Sequence, residues 1–456
     1  MYPAGAFIGG KLFYELTMNQ KNRVPSSSSQ RPSGASKIEA APASGNTRVS
    51  SGAAGSNDSH ATAGIQDIPV ARPTLALLIL FASTFIFITT ELLPMGVLQS
   101  MGATLDQSEA RIGFLVSAFA LAVVLTSTPL ASLTARLPRR PLLVGLVLAL
   151  SVGNLVVGLS DSYAIDLIAR FIIGAGNGVY WGMIGSFAAR MVPDHKRGRA
   201  LAMVFAGNTA ALTLGIPLSA AAALILGWRT TFLVLGVAGL VLGALAWRVL
   251  PALAGRSAHA RVSLRQVVLT PGVLPIALAT LLSFSGHFAL YTYITPYLQV
   301  AGIPAAAIAP TLFAFGIVGI AGVWLTGKFI ERHARAAALT ALSVWLGMMV
   351  ILALLAYYPV KPLAIAACIT WGLAYSAAPM LFQAAMLRAA PHASDQASAV
   401  LFTAVNLAIT AGSVVGGMTL EHFGVQWNPL LSACCVLAAL ITVFGASRSG
   451  FKRDQV

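Results

Sequence analysis

Charge is what this chain has least of. Only 9% of its 456 residues are Asp, Glu, Lys or Arg, against about 25% in a soluble domain. Acidic residues are the scarcest, 14 against 29 basic. Cysteine is nearly absent. Cys368, Cys434 and Cys435 all lie in apolar runs and offer neither metal-ligand spacing nor a disulfide framework. They read as small packing hydrophobes. No Gly-x-x-x-x-Gly-Lys-Ser/Thr loop occurs, so nothing points to ATP hydrolysis by this chain. No nucleophile-and-base constellation stands out either. Neither an enzyme nor a bound metal or cofactor is expected.

What the chain does have is long hydrophobic runs, 57% of the sequence being apolar. Runs beyond about 18 residues are transmembrane helix candidates. They are too long for barrel strands, and backbone groups in lipid must be satisfied internally, so the protein is expected to be all-α. Twelve spans are placed at 74–98, 112–133, 141–160, 163–189, 200–223, 229–250, 272–299, 304–327, 336–358, 362–387, 397–419 and 429–447.

A net charge of +15 would suggest nucleic acid in a soluble protein. Here topology accounts for it. With the N-terminus inside, 25 of the 29 Lys and Arg fall in the two tails and the inner loops. Outer loops keep Arg111, Arg229 and Lys361, and Arg170 lies within a span. The bias places both termini in the cytoplasm. The Ala-rich, Arg-over-Lys composition suits a bacterial protein, hence an inner-membrane location. The polar 1–72 segment reads as a disordered cytoplasmic tail, and a second methionine, Met18, leaves a later start open. Residues 73–250 and 272–447 form two six-helix halves, joined by the linker 251–271 and followed by a short tail, 448–456.

The halves repeat. GAGNGVYWGMIGSFAARMVP (174–193) matches GLAYSAAPMLFQAAMLRAAP (372–391) at an offset of 198, aligning Gly174 with Gly372 and Arg190 with Arg388. An offset of six spans keeps the membrane orientation, so the halves are parallel repeats. ASLTARLPRRP, LIARFIIGAGNG and GNTAALTLGIPL, with TTELLP, GWRTTF and GHFALYTYITPYL, carry a resemblance. The chain resembles the major facilitator superfamily over 74–447, and within it the bacterial drug:proton antiporters of the sugar-efflux or arabinose-efflux-permease-like branch. Ala131, Ala135 and Pro138 depart from the family's first-loop pattern, and Gly215-Ile216-Pro217 from its span 5 pattern.

Glu91, in ITTELLPMG, is the acid placed well inside a span. A charge at mid-membrane costs about 2.5–3.5 kcal/mol on insertion scales, so it should face a cavity. There it could take a proton from one side and lose it to the other; alternatively it reaches the outer interface. Pro94, one turn on, can free a backbone carbonyl. Arg170 is the one base inside a span. The resemblance gives Glu91 and Arg170 roles in proton coupling; the alternatives for Arg170 are snorkelling or pairing with Asp166 one turn before it.

Asn177, Trp181 and Asn208 in the first half are cavity candidates, each with a packing alternative. So are His287, Tyr291 and Tyr293 in span 7, Trp371, Tyr375 and Gln383 in span 10, and Asn406 in span 11. Tyr293 is set where Glu91 sits in the first half. Gly174, Gly178 and Gly182 form a small-residue packing face. Arg136, Arg139 and Arg140, with Glu331 and Arg332 in the second half, could latch one conformation across the halves or simply determine topology.

The expected activity is secondary transport: proton-coupled export of a small organic solute, sugar-like or drug-like, by alternating access. An uncoupled facilitator or importer of the same fold, and a transporter-shaped sensor, are the alternatives. The expected partners are a small-molecule substrate, protons and the lipid bilayer, not nucleic acid, and the chain is expected to act as a monomer.

Overall fold

A computed structural model describes residues 72–255 and 264–446. The expected N-terminal tail up to residue 71, the middle of the linker and the C-terminal tail lie outside them, as do the side chains of Glu331 and Arg332. The described residues are helical throughout, with no strand among them. In chain order the helices are α1 (Pro73–Gly96), α2 (Leu98–Leu105), α3 (Glu109–Leu133), α4 (Arg139–Leu159), α5 (Tyr163–Arg190), α6 (Arg197–Leu226) and α7 (Trp228–Val249). After the linker come α8 (Leu264–Val268), α9 (Val273–Tyr291), α10 (Ile294–Val300), α11 (Ala305–Leu355), α12 (Lys361–Ala389), α13 (Ser394–Phe423) and α14 (Asn428–Gly445).

The long α11 carries two spans, Ala305–Phe329 and His333–Leu355, meeting at non-helical torsions of His333. Eleven helices among the described residues are long and apolar enough to cross a membrane, and the bent α6 makes twelve. The protein is therefore an all-α, multi-pass membrane protein. One expected span is divided: 272–299 breaks at Thr292 and Tyr293. Pro296 explains the break, since it has no N–H for the carbonyl four residues back and its ring crowds that carbonyl.

The two halves pack alike. α1 lies on α6 and α3 on α5; α9 lies on α13 and α11 on α12. Glycines permit these approaches. A Cβ on Gly174 would strike the backbone of Phe119, and one on Gly372 the backbone of Phe315. Without a hydrophobic drive between helices in lipid, close packing of this kind holds them together. Between the halves, α3 meets α13 and α6 meets α11.

The halves meet tightly on the side whose loops carry few basic residues. Leu92, Leu98, Met101 and Ile112 from the first half join Tyr293, Tyr297 and Leu298 from the second in one buried apolar cluster. Gln99 and Gln299 exchange two amide hydrogen bonds, at 2.8 and 2.9 Å. Tyr293 donates its hydroxyl to the Ser413 carbonyl at 2.7 Å, and it fills the space left by Gly113 and Gly417, where any Cβ would collide with its ring or hydroxyl. Tyr293, expected to line the cavity, is thus part of this seal. The cause is the break after Tyr291, which turns it from the face of α9 into the junction with α3 and α13. On the basic side the first half keeps its own core, reached from the second, among the described residues, only by Phe402.

Two outcomes follow from this packing. Gly174→Val should destabilise the protein by about 1–3 kcal/mol, the usual cost of overpacking, read as a lowered unfolding temperature. Gly182→Ala, with open space around it, should leave that temperature unchanged. Tyr293→Ala should loosen the seal: a cysteine placed at Ser413 should react with an impermeant thiol reagent about tenfold faster, equivalent to about 1.4 kcal/mol. Equal rates would remove Tyr293 from the seal.

Candidate functional site

Glu91 lies five residues before the end of α1, about 8 Å along the helix at 1.5 Å per residue. It is buried, 7% exposed, so its side chain does not escape to the interface. Arg170, on α5, is completely buried. The two do not form an ion pair. Arg170 instead spends its donors on backbone: Nη1 to the Thr90 carbonyl at 2.6 Å, Nη2 to the Glu91 carbonyl at 2.8 Å and Nε to the Leu115 carbonyl of α3 at 3.3 Å. Its guanidinium also lies 4.6 Å from the centre of the Phe119 ring, a cation–π contact.

The choice of carbonyls has a cause in the sequence. Pro94 sits inside α1 and has no N–H, so the carbonyl of Thr90, four residues earlier, loses its helical partner. Arg170 supplies the missing donor. Neither snorkelling nor pairing with Asp166 describes it: it is buried, and its donors go to α1 and α3.

The Glu91 carboxylate is left to another partner, the Asn177 amide, which donates to Oε2 at 3.3 Å. Asn177 is on α5 two turns beyond Arg170. Glu91 therefore has a fixed cation close to its backbone and a single hydrogen-bond donor on its side chain. Across the interface, Tyr375 of α12 lies within electrostatic range of it.

The second half contributes aromatic rings to the same level. His287 stacks on Tyr375 with ring centres 3.5 Å apart and planes 2° from parallel. Tyr291 stacks on its other neighbours, 4.7 Å from His287 and 5.0 Å from Phe315. Trp371 and Trp345 close the cluster edge-on, 5.1 and 6.0 Å from His287. The indole N–H groups of both tryptophans and Nδ1 of His287 are buried without a hydrogen-bond partner. Buried polar atoms are nearly always satisfied, so such a group asks for an explanation.

The remaining candidates are more dispersed. Trp181 stacks near Phe205 and Phe402, 6.2 and 6.3 Å away, on the basic side of the site. Asn406 is buried and donates to the Phe402 carbonyl, its own oxygen unpartnered. Gln383 donates to Ser398 at 2.8 Å, a bond within the second half, and Asn208 is half-buried on α6. Two of the basic loop residues make contacts within their own half. Arg140 donates to the Leu250 carbonyl at the end of α7 and lies over Trp247; Arg139 donates to the Ala135 carbonyl; Arg136 is exposed. In this conformation Arg140 thus contacts its own half.

Sequence reasoning missed Trp345 and Phe315, whose only signal was an aromatic ring inside an apolar run. It also treated Asp166 solely as a partner for Arg170, although Asp166 is itself fully buried.

Comparison with known proteins agrees with this architecture. Residues 79–413 match the family model of the Major Facilitator Superfamily. A protein of Helicobacter pylori (strain P12) named "Probable sugar efflux transporter" is 29% identical over 359 residues, covering 78% of this chain and 91% of its own. A protein of the same name from Helicobacter acinonychis (strain Sheeba) is also 29% identical, over the same shares. Among solved structures, a bacterial homologue of the human lysosomal transporter Spinster, in an inward-facing and unoccupied conformation, superposes with a TM-score of 0.68 at 14% identity, covering 85% of this chain and 99% of that one. The occupied inward-facing form gives 0.68 at 16% identity. The chain belongs to the Major Facilitator Superfamily and is a membrane transporter of that fold.

Proposed function

We propose that the protein exports a small hydroxylated organic solute, sugar-like or drug-like, in exchange for protons, across the inner membrane of a bacterium with both termini in the cytoplasm. The observation that carries this reading is the state of Glu91. Its carboxylate is buried, beside a buried arginine yet not paired with it, and accepts only the Asn177 amide. A carboxyl group so placed can exchange a proton without breaking an ion pair, and its charge is costly enough in the membrane to bias which conformation is adopted.

The substrate class rests on two supports. The two relatives above carry sugar efflux in their names. The buried ring cluster of the second half holds two indole N–H groups without a partner, donors that suit a solute with hydroxyl groups. Closure on the charge-poor side corresponds to an inward-facing state, the conformation named for the Spinster homologue. Alternating access then requires the Tyr293 seal to part and the basic side to close. In this reading Arg136, Arg139 and Arg140 serve as a latch for the closed form at that basic side, with Glu331 and Arg332 as its counterpart.

In inverted vesicles with an imposed pH gradient, Glu91→Gln should abolish proton-driven sugar uptake while leaving exchange of labelled for unlabelled sugar in place. Uptake that persists at the normal rate with an unchanged pH dependence would remove Glu91 as the coupling residue. A protein that equilibrates its substrate after the gradient is collapsed would be a facilitator instead.

A further inference from the structure

Among the described residues, the Asp, Glu, Lys and Arg side chains that are buried are Glu91, Asp166 and Arg170. All three lie on α1 and α5, so one buried cation is matched with two buried carboxylates. The two acids are held differently. Glu91 accepts the Asn177 N–H. Asp166 is 0% exposed, and neither of its oxygens makes a well-formed hydrogen bond, the Ser160 hydroxyl being the nearest donor.

The groups around Asp166 are committed elsewhere. Arg170, one turn on, donates to the Leu115, Thr90 and Glu91 carbonyls. Arg229 of α7 pairs with Asp161 at 2.5 Å and donates to the Ser160 carbonyl. The Ser160 hydroxyl donates to the Ser162 carbonyl. On the facing α3, Arg111 is exposed and donates to Gln107, and Tyr163 donates to the Arg111 carbonyl. An ionised carboxylate buried without a donor or a paired cation is among the costliest arrangements in a protein. A neutral acid avoids most of that cost.

Resting on the proton-coupled reading above, we propose that Asp166 is a second residue that loses and regains a proton during the transport cycle. It holds a proton while the halves are closed on the charge-poor side. It lies in the first turn of α5, at that side of the molecule, so parting of the seal gives it water. Its O–H then passes the proton to that water, and the carboxylate left behind takes one from the same water before the seal re-forms, so Asp166 itself moves no net proton across the membrane. While ionised, Asp166 shares the field of Arg170 with Glu91. Asp166 thereby acts as a positioning residue that sets how readily Glu91 gives up its own proton.

Infrared spectra of the purified full-length protein at neutral pH test this directly. A buried carboxylic acid gives a carbonyl band that moves on exchange into heavy water. Glu91→Gln, which removes the contribution of Glu91, should keep the band, and adding Asp166→Asn to that background should abolish it. A band untouched by Asp166→Asn in that background would overturn the proposal. Should that variant fail to fold, Asp166→Glu serves: the band should persist at a displaced position, and an undisplaced band would equally overturn it. In transport, Asp166→Asn should displace the pH profile of export by about one unit, tenfold in proton concentration, and Asp166→Glu should largely restore it. A uniform fall at every pH would mean a merely structural role. The infrared result can fail while Glu91→Gln still uncouples transport, so failure here does not depend on the coupling reading.

Discussion

A guanidinium donating to backbone carbonyls in the middle of a membrane protein is the contact on which the rest of the site depends. Pro94 withdraws an N–H from α1, and Arg170 of α5 replaces it at Thr90. Hydrogen bonds to charged groups contribute about 1.5–3 kcal/mol each, and in lipid the alternative is an orphaned carbonyl. The bond does three things. It keeps α1 helical up to Gly96, ties α1 to α5, and leaves the Glu91 carboxylate free of an ion pair.

The second half shows what happens without it. Pro296 stands two hundred and two residues after Pro94, with Thr292 and Tyr293 at the places of Thr90 and Glu91. At the offset of 198 that aligns the fourth and tenth spans, Cys368 stands where Arg170 does. There is no cation there, and the helix breaks at Thr292 and Tyr293. The freed Tyr293 then becomes part of the seal between the halves. The repeat conserves packing, as Gly174 on Phe119 and Gly372 on Phe315 demonstrate, while the chemistry has separated. The buried charges lie in the first half and the ring cluster around His287 in the second.

Much of this was legible in the sequence. Span positions followed from hydropathy, because lipid leaves little choice of structure. Glu91, Arg170 and Pro94 stood out because a charge or a proline within an apolar run has to be accommodated. Which group met which was not legible. An arginine carries five donors, and nothing in LIAR says that they go to carbonyls on another helix rather than to Asp166 one turn away. Tyr293 was misplaced because the repeat was taken to hold at the level of backbone conformation, where a missing arginine had altered it. The ring cluster draws on α9, α11 and α12, and no spacing within one helix reveals such a meeting.

The central claim is that Arg170 substitutes for the hydrogen bond that Pro94 removes. A double-mutant cycle on unfolding stability, with Pro94→Ala and Arg170→Lys, tests it most directly. Alanine restores an N–H to the Thr90 carbonyl, and lysine keeps the charge but loses the planar fork. The account predicts that Arg170→Lys costs less in the Pro94→Ala background, with a coupling energy of about 1 kcal/mol or more. Strictly additive effects would contradict it.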